Sequence, residues 1–149
     1  MEPPNDNIPL DLAKLRRKRQ YKGDVIFAAT RIVARSMTLR NGTMSGWEWM
    51  LGLKEAEFGT VVGAIDALDA LIGWGEDIDV QFIPVQSKCG LRALWVHEQP
   101  HTNPLTILGC IKGETVWVAT GHKTRPDRLT KSQIEQADNI TAEWLTVWR

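Results

Sequence analysis

The fold of this chain is decided by residues 54–85, which read KEAEFGTVVGAIDALDALIGWGEDIDVQFIPV. From Lys54 to Trp74, apolar side chains recur every three or four residues, which is the period of an amphipathic helix. After Gly73-Trp74-Gly75 the period shortens to about two residues, which is typical of β-strands. Because the chain changes from a helical to a strand pattern within this one stretch, we expect an α+β fold.

Four short runs that are rich in β-branched and aromatic residues follow the change of period. The loops between them are short, and such connections join antiparallel neighbours because a parallel crossover needs a dozen or more residues. The sequence therefore predicts a roughly four-stranded antiparallel β-meander. Its strands are predicted at Ile78–Val85, Leu91–Val96, Leu105–Ile111 and Thr115–Ala119.

Capping patterns predict two helix starts. Thr130 and Gln133 have the spacing of a capping box, in which two side chains reciprocally bond the first free backbone amides. The helix that follows carries an apolar stripe through Trp144 and Trp148, and we expect this C-terminal helix to pack on the sheet. Ser45 and Glu48 have the same capping-box spacing, so a helix is predicted to begin there and to continue into its stronger part, from about Lys54 to Trp74.

Two further helices are predicted before residue 40. Pro9 suits the first position of a short helix whose apolar side is formed by Ile8, Leu12 and Leu15. Val25–Met37 is also interpreted as a helix. Its competing interpretation is a hairpin that turns at Asn41-Gly42, since Asn-Gly favours a tight turn, but we prefer a loop there.

Length and composition describe one globular domain over residues 1–149, with 1–22 as a possible projecting basic helix or arm. The chain has 149 residues, of which 43% are hydrophobic and 24% charged, so a wholly disordered chain is excluded. Cys89 and Cys110 are too few for a disulfide scaffold. The first residues lack the pattern of a secretory signal, and no run is long enough to cross a membrane, so we expect a cytoplasmic protein.

Charge is polarised along the chain, although the formal net charge is zero. Residues 1–40 hold nine basic and four acidic side chains, whereas residues 41–80 hold one base and eight acids. Six of the bases fall within nine residues, where the apolar pattern offers no means of burying them. This basic cluster consists of Lys14, Arg16, Arg17, Lys18, Arg19 and Lys22.

Two uses of the basic cluster compete. It can bind the phosphates of a nucleic acid, and binding would then fall steeply with salt. Alternatively, it can pair with the acidic segment of the same chain or of a second copy. The zero net charge favours pairing, and no zinc-finger, RNA-recognition or basic-zipper signature accompanies the cluster.

Other binding candidates lie outside the basic cluster. Arg31 and Arg35 are one turn apart on the polar side of the helix predicted at residues 25–37, and Glu55 belongs to the acidic segment. Trp47 and Trp49 diverge on a helix, so one of them is a candidate surface anchor for a protein partner.

The motif His97-Glu98-Gln99-Pro100-His101 has the letters of a zinc-protease helix, but Pro100 breaks the helix on which that chemistry depends. Cys89 with His97 or His122 has no local context that activates a thiol. We therefore predict neither a metal site nor a cofactor.

These patterns favour a non-catalytic macromolecule-binding or regulatory protein that uses a basic N-terminal helix and an acidic, Trp-bearing helix. Its expected partner is a protein. The alternatives are a nucleic-acid-binding accessory protein and a metal- or thiol-dependent enzyme. Gly59, Gly63 and Ala67 predict a groove for close packing of another element, within the chain or in a homo-oligomer.

Overall fold

The described residues form an α+β arrangement of three helices and one six-stranded sheet. A computed structural model describes residues 24–96 and 103–147. The strands are β1 (Val25–Ala28), β2 (Val33–Ser36), β3 (Phe82–Pro84), β4 (Arg92–Val96), β5 (Leu105–Lys112) and β6 (Thr115–His122). The helices are α1 (Ser45–Leu51), α2 (Glu55–Gly73) and α3 (Lys131–Val147), with short 3-10 turns at Ile78–Val80 and Pro126–Arg128.

The sheet is mixed, and its strand order is β1-β2-β6-β5-β4-β3. Strands β3 to β6 pair antiparallel with their neighbours in the chain, as the predicted meander requires. Strand β2 adds to β6 in parallel, with Val33 opposite Thr115 and Ser36 opposite Val118. Strand β1 completes the sheet as the antiparallel neighbour of β2.

Helices lie on both faces of the sheet, and each face has its own core. Strand β6 contributes to both, because successive side chains of a strand point to opposite faces. Val116 and Val118 pack in the core that α1 and α2 cover, whereas Trp117 and Ala119 pack in the core that α3 covers. The central strands are therefore covered on both sides, which explains their nearly continuous apolar runs.

The predicted α+β class is confirmed, whereas the four-stranded antiparallel sheet is incomplete. The missing strands come from residues 25–37, which were predicted as a helix, and that prediction is wrong. The segment forms β1, a turn and β2 instead. Its apolar pattern fits both periods over so short a run, and pairing of β2 with β6 decides in favour of strand.

The starts of α1 and α3 agree with the sequence patterns, but the single helix predicted from Ser45 to Trp74 is two helices, α1 and α2, which residues 52–54 separate. At α3, Gln133 N donates to Thr130 Oγ1 at 3.1 Å and Thr130 N donates to Gln133 Oε1 at 2.9 Å, which is the predicted capping box. Helix α1 begins at Ser45, but Met44 precedes it and no side chain caps it, so the capping box predicted there is absent. Asn41-Gly42 lies in the loop between β2 and α1, as expected.

The short helix predicted from Pro9 and the basic cluster lie outside the described residues, as does Trp148. Among the helices of residues 24–96 and 103–147, none combines the length and the apolar content needed to cross a bilayer.

Candidate protein-interaction surface

Two of the eight acids of residues 41–80 are buried and serve the fold. Glu57, in the first turn of α2, is 1% exposed. Its Oε1 accepts from Lys54 N at 2.9 Å, its Oε2 accepts from Asn103 Nδ2 at 2.8 Å, and Lys123 Nζ lies 3.5 Å from Oε1. Burial raises the pKa of Glu57, but these donors and the ammonium outweigh burial and lower it below its ordinary value.

Asp69, near the other end of α2, holds the turn between β1 and β2. It is 6% exposed, and its Oδ1 accepts from Arg31 N at 2.6 Å and from Ile32 N at 2.9 Å. One carboxylate oxygen therefore satisfies two backbone donors that the turn leaves without strand partners. This contact fixes β1 and β2 against the C-terminal half of α2.

The other acids of the segment lie at the surface. Asp79 Oδ1 pairs with Arg92 Nη1 at 2.6 Å, and Arg92 also donates to Phe82 O. No ion pair with another described residue is made by the remaining acids, all of which are exposed. These are Glu48, Glu55, Asp66, Glu76 and Asp77.

The C-terminal end of α2 presents Trp74 to solvent. Gly75 has φ +70°, a conformation that favours glycine, and it ends the helix. Glu76 N donates to Leu71 O at 2.9 Å and Gly75 N donates to Ile72 O at 3.1 Å, which is the Schellman pattern. These hydrogen bonds close the end of the helix, and Trp74, which follows its last residue, is 75% exposed.

A second apolar side chain follows in the 3-10 turn. Asp77 Oδ1 accepts from Asp79 N at 2.9 Å and caps this turn, in which Val80 is 70% exposed. We call the exposed residues at and just beyond this end of α2 the Trp74 surface. It comprises Trp74, Glu76, Asp77 and Val80.

The carboxylates of the Trp74 surface lie where the helix dipole already places negative charge. The last turn of α2 contains no basic residue. The guanidinium of Arg31 lies against Gly73 and 3.9 Å from Asp69 Oδ2, so it offsets the buried carboxylate. Glu76 and Asp77 then add negative charge beyond the carbonyl end of the helix, where a cation would be favoured.

Neither candidate anchor, Trp47 or Trp49, is fully exposed. Trp47 is 4% exposed and belongs to the core beneath α1 and α2. Trp49 is half-buried and its ring packs directly over Gly121, where a Cβ atom would collide with it. The side chains of Trp47 and Trp49 point in different directions, as expected for residues two apart on a helix. Both of them contact other residues of the same chain.

The other predicted binding residues are dispersed. Glu55 is exposed in the first turn of α2. Arg35, on β2, bonds Asp24 Oδ1 at 2.8 Å and lies 5.9 Å from the centre of the Trp117 ring, so it is engaged within the fold. The basic cluster lies outside the described residues.

The groove predicted at Gly59, Gly63 and Ala67 lies on the outer side of α2. Gly63 and Ala67 are exposed, and no atom of the described residues lies within 4 Å of a Cβ built on Gly63. Gly59, one turn earlier, is half-buried.

Of the residues considered for catalysis, the structure describes His122, Cys89 and Cys110. His97 and His101 lie outside the described residues. Burial lowers the pKa of His122, whose Nε2 is 2.9 Å from Thr120 Oγ1. Among the described residues, no group of three or more His, Cys, Asp or Glu side chains is placed to hold a metal ion.

Both cysteines are free and half-buried. Cys89 N donates to Asp138 Oδ1 at 3.0 Å, and burial together with the Asp138 charge raises the pKa of the Cys89 thiol. Burial also raises the pKa of Cys110. A raised pKa keeps each thiol protonated near neutral pH, which is the opposite of an activated nucleophile.

Comparisons with protein families, curated proteins and solved structures found no match for this chain.

The exposure of Trp74 is not predicted by the sequence patterns, because this residue lies at the end of an apolar stripe. The signal was the following Gly75, which predicts a helix end and therefore a final residue that is free to leave the core.

Proposed function

We propose that the chain is a non-catalytic protein-binding module, and that its Trp74 surface docks a basic segment of a partner protein. The observation that carries this proposal is the 75% exposure of Trp74 beside carboxylates that make no ion pair with any described residue. Tryptophan is enriched among the residues that dominate binding energy at protein interfaces. Its ring face also attracts the cations of lysine and arginine.

The acidic residues around Trp74 determine which charge a partner must carry. Glu76 and Asp77 carry negative charge next to Trp74, and the carbonyl end of α2 adds a partial negative charge. Such a surface speeds encounter with a basic partner and disfavours an acidic one, including nucleic acid. The partner class supported here is therefore a lysine- and arginine-rich protein segment.

Two peptides of equal length test whether the partner is positively charged. One is rich in Lys and Arg, and in the other Glu replaces every Lys and Arg. We expect the basic peptide to bind, measured by isothermal titration at low salt, and its affinity to fall as salt screens the surface. Equal affinity for both peptides would overturn the proposal.

Trp74→Ala tests the position of the site, and Leu51→Ala is the matched control. Leu51 is 50% exposed on α1, outside the Trp74 surface. We expect Trp74→Ala to weaken binding of the basic peptide by about 2- to 5-fold, as loss of an exposed cation–π contact does. Leu51→Ala should leave the affinity unchanged, and equal effects of the two substitutions would contradict the assignment.

A further inference from the structure

The chain itself carries a segment with the chemistry that the Trp74 surface would recognise. Residues 14–22 contain six cations, whereas Glu76 and Asp77 make no ion pair with the residues at 24–96 and 103–147. The described cations nearest this end of α2 are already engaged, since Arg31 offsets Asp69 and Arg92 bonds Asp79. The surplus charges of the two segments are therefore opposite in sign and complementary.

The position of the first described residues brings this segment within reach. Asp24 precedes β1, and β1 leads to the turn that Asp69 ties to α2. Four residues of strand span about 13 Å, so Asp24 lies about that far from the turn. In the turn, the Arg31 guanidinium lies against Gly73, the residue before Trp74.

The length of the segment is sufficient to cover that distance. An extended chain advances about 3.3 Å per residue, so residues 14–22 can span up to about 30 Å. The basic cluster ends at Lys22, only two residues before Asp24. Its cations can therefore reach the end of α2 without any rearrangement of the sheet.

We propose that the basic cluster, residues 14–22, binds the Trp74 surface of the same chain and competes with the basic segment of a partner. This inference rests on the proposed function and adds its regulation: a partner must displace the chain's own cations. A surface that is occupied in about 90% of molecules would bind its partner about tenfold more weakly than a free one.

Zero-length carbodiimide cross-linking of the unaltered protein tests the contact directly. The reagent joins a lysine amine to a carboxylate only where the two groups meet. We expect peptide mass spectrometry to find Lys18 or Lys22 joined to Glu76 or Asp77, with yields that fall at high salt. Lys131, which is exposed at the start of α3, is the internal control and should not join these carboxylates.

An equal mixture of isotope-labelled and unlabelled protein identifies the chain that supplies the lysine. Linked peptides in which both halves have the same label support the proposal. Linked peptides with one labelled and one unlabelled half would assign the contact to a second copy and overturn it. Absence of these linkages, while other lysines react, would also overturn it.

A competition experiment separates failure of this inference from failure of the proposed function. Replacement of Arg16, Arg17, Lys18 and Arg19 by Gln should tighten binding of the Lys- and Arg-rich peptide by about tenfold. The effect of Trp74→Ala is measured in this variant, because in the unaltered chain the substitution would weaken the competing contact as well. Unchanged affinity in this variant, with the Trp74→Ala effect intact, would overturn the intramolecular contact and leave the proposed function standing. If neither protein binds the peptide, the proposed function fails, and the regulation inferred here fails with it.

Discussion

On the inner side of α2, Glu57 and Asp69 are buried and each accepts two short hydrogen bonds, whereas Asp66 on the outer side is exposed and makes no ion pair with a described residue. Phe58, Val61, Ile65 and Leu68 accompany the inner carboxylates and are at most 1% exposed. The outer side carries Gly63, Ala67 and finally Trp74, all exposed.

The difference shows that the acidity of residues 41–80 has two separate origins. A carboxylate can be buried only where hydrogen-bond donors offset the cost of its desolvation, as they do for Glu57 and Asp69. An exposed carboxylate loses little hydration and contributes little to stability. Removal of charge should therefore destabilise the protein strongly on the inner side of α2 and hardly at all on the outer side.

Asp69→Ala should have the largest effect. It leaves the buried amide of Ile32 and the part-buried amide of Arg31 without their acceptor, and an unsatisfied buried group costs about 1–3 kcal/mol. We expect the free energy of unfolding to fall by about 3–4 kcal/mol in urea titrations. Asp66→Ala, three residues earlier on the outer side, is the matched control and should change it by less than about 0.5 kcal/mol. Similar losses in the two variants would contradict the distinction between the sides.

Glu57→Gln should cost about 2 kcal/mol near neutral pH, because the hydrogen bonds from Lys54 and Asn103 lose their charged acceptor. The pKa of Glu57 is lowered by folding, so its contribution is complete above the ordinary value of 4.5. That contribution declines as the pH falls through the lowered pKa. The stability difference between wild type and variant should therefore shrink in acid.

Glu55→Gln is the control for this pH dependence, because Glu55 is exposed in the same turn of α2. Its unfolding free energy should follow that of the wild type over the same pH range. If the difference in unfolding free energy between wild type and Glu57→Gln stayed constant from neutral to acid pH, the charge of the Glu57 carboxylate would not contribute to stability.

The sequence allowed the elements around α2 to be predicted, but it did not separate these two kinds of carboxylate. Apolar spacing located α2 and the last four strands, because one period persisted over each run. The burial of Glu57 and Asp69 depends on Asn103 and on the amides of Arg31 and Ile32, which are 37 or more residues away. Local pattern contains no information about donors at that separation.

The error at residues 25–37 has the same origin. Val25, Ile32 and Val33 fit a helical stripe, yet they also belong to the residues that favour strands. Pairing of β2 with β6 brings Val33 opposite Thr115, far along the chain, and gives the segment its ladder of hydrogen bonds. The C-terminal helix was predicted correctly because its capping box and its stripe are both local.

Gly63→Ala tests the outer side of α2 with a substitution that changes no charge. Nothing lies within 4 Å of a Cβ atom at Gly63, and alanine is favoured over glycine in a helix interior by about 0.8–1.0 kcal/mol. We expect the unfolding free energy to rise by this amount. Gly121→Ala is the contrast, since its Cβ would collide with the Trp49 ring and should destabilise the protein. A loss of stability in Gly63→Ala would mean that another element packs on the outer side.

Asp79→Asn should have the smallest effect, although its 2.6 Å bond to Arg92 is among the shortest contacts of the acidic segment. The Asp79 side chain is 52% exposed, so the solvent screens the pair and such contacts contribute about 0.2–1 kcal/mol. Arg92 also keeps its bond to Phe82 O, which holds the guanidinium in place after the substitution. We expect the free energy of unfolding to fall by about 0.2 kcal/mol at low salt and to stay unchanged at high salt, as measured by urea unfolding at both ionic strengths. A loss as large as that of Glu57→Gln would mean that bond length, and not burial, determines the stability gained from a carboxylate in this chain.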